Sequence, residues 1–211
     1  GDLGVPLAVD QIHRTVGITV PDGTLYRLQI AYPQNPPVAA EDIPATLQSL
    51  TAQGVIAIVG PTNNDFALPN LEPLARVGVP VLTLATSDTL TDVDVTNNIM
   101  RMRAAERYYS TALADYLLND LGLTDIALIQ TDVPSTEALL IFEQVLINNS
   151  RSPVMKIQQL DSTQIAQNAA DILQVSPDAI VMWGPPEDAA TLIQTLRAGN
   201  YPGVIVYRDI I

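Results

Sequence analysis

The sequence predicts an α/β protein built on doubly wound parallel sheets. Short apolar runs rich in Val and Ile alternate with longer segments of helical period along the whole chain. Most of those runs are apolar at consecutive positions, the pattern of strands covered on both faces. Strand–helix alternation with short connections then calls for right-handed crossovers. The 211 residues, 47% of them hydrophobic, suffice for one large folded unit or two small ones.

In chain order the pattern predicts a helix over 3–14, a strand over 25–31, a helix over 38–53, a strand over 55–59, a helix over 66–76 and a strand over 79–84. A second series follows: helix 106–120, strand 125–129, helix 135–148, strand 153–158, helix 163–174, strand 179–183, helix 187–198 and strand 204–207. Strands 25–31 and 153–158 alternate more strongly than the rest, which places them toward sheet edges. Asp161 followed by Gln164 reads as a capping-box variant. Gly54, Gly78, Gly122 and Gly199 stand where helices should stop. Pro44, Pro69 and Pro73 fall within helical segments, where a first turn or a kink accommodates them. The polar stretch 87–98 is the longest connection, so a crossing between two lobes is expected over 98–104. That divides the chain into a first lobe over 1–101, a second over 102–207, and the start of a second crossing over 208–211.

Composition removes several classes of function. Ten basic residues against 23 acidic ones give a net charge of −13, and Lys156 is the only lysine, so the clusters that bind nucleic-acid phosphates or anionic lipid are missing. The absence of cysteine excludes disulfides, thiol nucleophiles and zinc–thiolate sites. The longest apolar runs, such as residues 55–59, fall far short of the roughly 18–20 residues of a membrane span, so no direct membrane insertion is expected in this region. The glycine signatures of dinucleotide and nucleoside-triphosphate sites and the G-x-S-x-G elbow are absent. His13, the one histidine, sits beside Arg14 and reads as a solvated surface residue. Glu187 and Asp188 open a helix and favour its dipole. No catalytic residue, metal ligand or cofactor is expected.

Three strand ends carry the functional signal. Residues 55–67 run from a buried strand through Gly60-Pro61 and Thr62 into Asn63, Asn64 and Asp65 at a helix start. In an open parallel sheet ligands bind at the carboxyl ends of strands, and free N–H groups at such a helix start suit an anion. The same three residues can equally serve as caps for that helix. Residues 79–91 end a second strand in the hydroxyl-rich loop Ala85-Thr86-Ser87-Asp88-Thr89, which a parallel sheet would bring beside the first. Residues 179–187 form the equivalent strand end in the second lobe; Trp183 there could close over a ligand or pack in the core.

The ordered set Val59-Gly60-Pro61, Gly78-Val79-Pro80-Val81-Leu82, Ala85-Thr86-Ser87-Asp88-Thr89-Leu90-Thr91, Met100-Arg101, Ile126-Ala127-Leu128-Ile129, residues 178–184 and residues 192–199 resembles the type I periplasmic-binding family, in particular its branched-chain amino-acid (Leu/Ile/Val) binding members. The resemblance covers essentially the whole chain. It implies two Rossmann-like lobes joined by hinge strands and closing on a ligand. It also implies capture of a small polar solute, foremost an amino acid, in the periplasm or outside the cell, for delivery to an ABC permease. A lipid anchor on a segment outside this sequence is one arrangement of such proteins. The alternative is a sensor domain of a membrane receptor with the same fold. The family begins with a strand before its first helix and continues past the position of Ile211, so the resemblance implies a fragment with an incomplete first lobe. The implied ligand contacts are Asn63, Asn64, Ala85, Thr86, Ser87, Ser135, Trp183 and Asp209. Thr86 matches a hydroxyl beside the ligand, and Ser135 stands where many members have Tyr. Asp209 is the nearest match to a hinge acid that meets the ligand's ammonium group. Arg208 aligns almost as well and would favour an anionic ligand.

Overall fold

A computed structural model describes residues 4–15, 17–131 and 137–208. Helix α1 (Gly4–Thr15) leads into an antiparallel hairpin of β1 (Ile18–Thr19) and β2 (Leu25–Tyr26). Then come α2 (Ile43–Ala52), β3 (Ile58–Val59), α3 (Asn64–Ala67), α4 (Leu71–Ala75), β4 (Val81–Thr83), α5 (Thr89–Asp92) and β5 (Ile99–Arg101). Strands β3, β4 and β5 form a parallel sheet in that order. The remainder is α6 (Glu106–Asp115), β6 (Ile126–Thr131), α7 (Glu137–Asn148), β7 (Met155–Leu160), α8 (Ile165–Val175), β8 (Ala179–Trp183), α9 (Pro186–Ala198) and β9 (Val204–Arg208). Its four strands are parallel in the order β7-β6-β8-β9, with the alternating β7 at an edge.

The second sheet is covered on both faces. Ala127 and Ile129 of β6, with Ile180 and Met182 of β8, meet Ile165, Ala169 and Ile172 of α8 and Leu192 and Leu196 of α9. The intervening residues Ile126, Leu128, Ala179 and Val181 meet Ala114 of α6 and Leu139, Phe142 and Leu146 of α7. The consecutive apolar pattern is therefore satisfied by two helical layers.

The first sheet is covered on one face. The paired row Ile58–Val81–Ile99 is buried under Ile43, Leu47 and Leu50 of α2, with Leu74 and Leu90. The next row, Val59–Leu82–Met100, points the other way, and Val59 and Met100 are 57% and 47% exposed.

Several boundaries differ from the sequence expectation. The strand expected over 25–31 pairs only at Leu25–Tyr26, with a β1 that the pattern did not suggest, because residues 27–31 have no strand neighbour among the described residues. The run 55–59 yields a strand only at its end, and Ile56 is exposed. The helix expected over 66–76 breaks at a 3-10 turn, Leu68–Asn70, that carries Pro69. At the end of α9 the left-handed residue is Asn200 (φ 61°), not Gly199 (φ −81°). Gly199 is needed for space, since a Cβ there would lie 2.5 Å from Leu173 Cδ1. His13 is half-buried rather than solvated: its Nε2 accepts the Leu28 N–H at 3.0 Å and ties α1 to the chain beyond β2.

Candidate ligand-binding site

The carboxyl ends of β3 and β4 lie side by side, and their loops are joined by one side chain. Asn63 caps α3, with extended backbone (φ −135°, ψ 166°) and Oδ1 accepting the Phe66 N–H at 3.0 Å. Asn64, the first residue of α3, is buried and reaches across: its Oδ1 accepts the N–H groups of Thr86 and Ser87, both at 2.9 Å. Its Nδ2 donates to Thr86 Oγ1 at 3.3 Å. The Thr83 hydroxyl donates to the Pro61 carbonyl at 2.6 Å and accepts the Ala85 N–H at 3.1 Å. The two loops thus behave as one polar unit, with Ala85, Thr86 and Ser87 all buried.

The N–H groups of Ala85, Thr86, Ser87, Asp88 and Thr89 all have protein acceptors. The hydroxyls of Thr86 and Ser87 accept from Asn64 Nδ2 and the Thr89 N–H, and their own protons have no acceptor among the described residues.

Two hydrogen bonds carry this loop to the second sheet. The Glu106 N–H, at the start of α6, donates to the Thr86 carbonyl at 2.9 Å. The Asp88 N–H donates to Glu137 Oε1, at the start of α7, at 3.1 Å. Arg107 adds a backbone N–H to Asp88 Oδ2 at 3.0 Å and an ion pair to Asp88 Oδ1 at 3.2 Å. Arg101 of β5 braces the loop from beneath, donating to the Ser87 carbonyl and, at 2.8 Å, to Thr91 Oγ1.

At the same junction Glu106 and Arg208 form a buried, two-pronged ion pair. Arg208 Nη1 binds Glu106 Oε1, and Nη2 binds Oε2 at 3.2 Å. The Arg208 guanidinium lies 4.7 Å from the centre of the Tyr109 ring. Burial pushes the Glu106 carboxyl above its ordinary value, Arg208 pulls it back, and the nearby Glu137 charge pushes it up again. Glu106 and Glu137 were not singled out from the sequence. An acid at a helix start reads there only as a favourable partner of the helix dipole, and no local pattern distinguishes one that also holds a distant arginine.

The other expected contacts separate. Trp183 is fully buried with its ring edge-on to Phe142, centroids 5.8 Å apart at 65°, so of its two readings the structure gives the core position. Its indole N–H has no acceptor among the described residues. Ser135 and Asp209 lie outside the described residues. Among the described residues no three His, Asp or Glu side chains group as a metal cage, and no helix is long and apolar enough to cross a membrane.

Residues 3–208 match the family described as periplasmic binding protein, and the chain belongs to that family. No curated protein matches it. Among solved structures it is similar to an ABC transporter substrate-binding protein from Desulfitobacterium hafniense, at 18% identity and a TM-score of 0.76 over 98% of this chain and 60% of the other. It is also similar to the branched-chain amino acid transporter substrate-binding protein of Streptococcus pneumoniae in complex with isoleucine (21%, TM-score 0.72, 97% and 57%). A third is a solute-binding protein of an ABC transporter from Rhodopseudomonas palustris in complex with 3,4-dihydroxybenzoic acid (17%, TM-score 0.72, 98% and 56%). The chain thus spans about 60% or less of the length of each of these structures. The family and these neighbours are binding proteins, not enzymes.

Proposed function

We propose that this chain forms the ligand-gripping part of an extracytoplasmic solute-binding protein that closes two lobes on a small, carboxylate-bearing solute, amino acids included, and delivers it to an ABC importer. One observation carries the reading. The loop at the carboxyl ends of β3 and β4 is hydrogen-bonded to the starts of α6 and α7 on the second sheet, so the ligand-binding edges of both sheets meet at one polar junction. Among the described residues three hydrogen bonds, Glu106 N–H to Thr86, Asp88 N–H to Glu137 and Arg107 N–H to Asp88, and the ion pairs of Arg107 with Asp88 and Asp92 tie the loop across, a set that a ligand can rearrange by binding one arrangement better. The ligands of the similar structures, isoleucine and 3,4-dihydroxybenzoic acid, share a carboxyl group, which supports that solute class.

The test is a thermal-melt screen of the full-length protein against amino acids, small carboxylates, amides and sugars. A solute at about 100 times its dissociation constant adds roughly 2.7 kcal/mol, a shift of several degrees. The reading expects such a shift from at least one small carboxylate. A cooperative melt that no solute moves contradicts it.

A further inference from the structure

Granting the solute-binding reading above, we propose that the solute is a carboxylate without an ammonium group, and that Arg208, held by Glu106 and Tyr109, is the side chain that reads it. An α-amino acid brings a positive charge that needs a buried acceptor. Glu106 is the buried carboxylate at the junction; both of its oxygens are taken by Arg208. Glu137, at the start of α7, accepts the Asp88 N–H, and Asp88 accepts the Arg107 N–H and is paired with the Arg107 guanidinium. For Glu106 to receive an ammonium group it would have to release Arg208, whose side chain is only 13% exposed, and leave that cation unpaired.

The donors point the same way. A guanidinium has five N–H groups, and Arg208 spends two on Glu106. The other three have no acceptor among the described residues. The loop N–H groups from Ala85 to Thr89 are already satisfied, so among the described residues the donors left on this side of the junction include the Arg208 guanidinium and the hydroxyls of Thr86 and Ser87, of which only the arginine is charged. The Thr86 carbonyl binds the backbone of the same Glu106 that holds Arg208. The arginine is fixed before any ligand arrives, by a fork on one edge and a ring on one face, which lowers the ordering cost of binding. In a chain of net charge −13 with ten basic residues, Arg101, Arg103, Arg107 and Arg208 all gather around the start of α6, with Arg103 and Arg208 both against Tyr109.

Calorimetry on the full-length protein with matched pairs tests this: 4-methylpentanoate against leucine, 3-phenylpropanoate against phenylalanine, butanoate against 2-aminobutanoate. Within each pair the ligands differ only by the ammonium group. At least one acid should bind more tightly than its amino acid by about tenfold or more, and its neutral amide should be weakened likewise. Arg208→Gln should lower affinity for that acid at least about tenfold, with Arg208→Lys between it and the parent. Should Arg208→Gln fail to fold, the matched pairs decide without it. An amino acid binding as tightly as its acid overturns the inference and leaves the solute-binding reading standing. Binding confined to uncharged solutes overturns the inference and the carboxylate part of that reading. If nothing in either panel binds, both fall.

Discussion

The two sheets are built from strands of similar composition, yet they sit in different surroundings. In the second sheet every residue of β6 and of β8 is buried, because α8 and α9 cover one face and α6 and α7 the other. In the first sheet burial alternates, and the row Val59–Leu82–Met100 lies on a face that no helix covers among the described residues. Consecutive apolar residues announce that a strand can be buried twice over; they do not say whether the covering layer is present. The second sheet should therefore carry most of the stability, and the first should supply the more adjustable loops.

The sharpest way to break this comparison is through the second core. Phe142, fully buried against Trp183, should cost about 3–5 kcal/mol when changed to Ala, read by urea denaturation. A loss no larger than that of an exposed residue would remove the contrast. Adjacent residues of β5 give the next test. Ile99→Ala should cost about 2–4 kcal/mol, while Met100→Ser, one position along and on the bare face, should stay within about 0.5 kcal/mol. Equal losses would mean that the bare face is covered in solution.

Asn64 tests whether the two loops act as one. Asn64→Ala strands the Thr86 and Ser87 N–H groups and should cost about 1–3 kcal/mol. Asn64→Asp keeps an oxygen for both and should lose less. The smallest effect is in the pH profile. Glu106 holds its proton more tightly in the folded protein than in the unfolded chain, so its contribution to stability falls as pH rises from the ordinary glutamate value of 4.5 through the raised one. Asp178 behaves oppositely. It accepts the Asp125 and Thr124 N–H groups at 3.0 Å, which lowers its pKa, so its contribution is present above the ordinary 3.8 and is lost as pH falls through the lowered value. Stability curves of Glu106→Gln and Asp178→Asn should flatten on opposite sides of the acid range.

The alternation of strands and helices was legible because burial on two faces writes itself into consecutive positions, as in β6 and β8. The boundaries in the first half were not, because Pro69 and the missing neighbour of residues 27–31 act through geometry that periodicity does not encode. Asn63, Asn64 and Thr86 were singled out from their place after strands, and the structure gives Asn63 the cap and Asn64 the cross-link to Thr86. The Glu106–Arg208 pair joins residues 102 positions apart, a distance at which sequence spacing says nothing about contact.

The most direct test of the central claim is hydrogen exchange on the full-length protein, with and without the solute that shifts its melt most. The account predicts added protection in residues 61–66 and 85–91 on one side and in residues 104–110 and 137–140 on the other, with β6 and β8 unchanged. Protection confined to one sheet's loops, or none at the junction, would contradict closure on a ligand held between the two sheets.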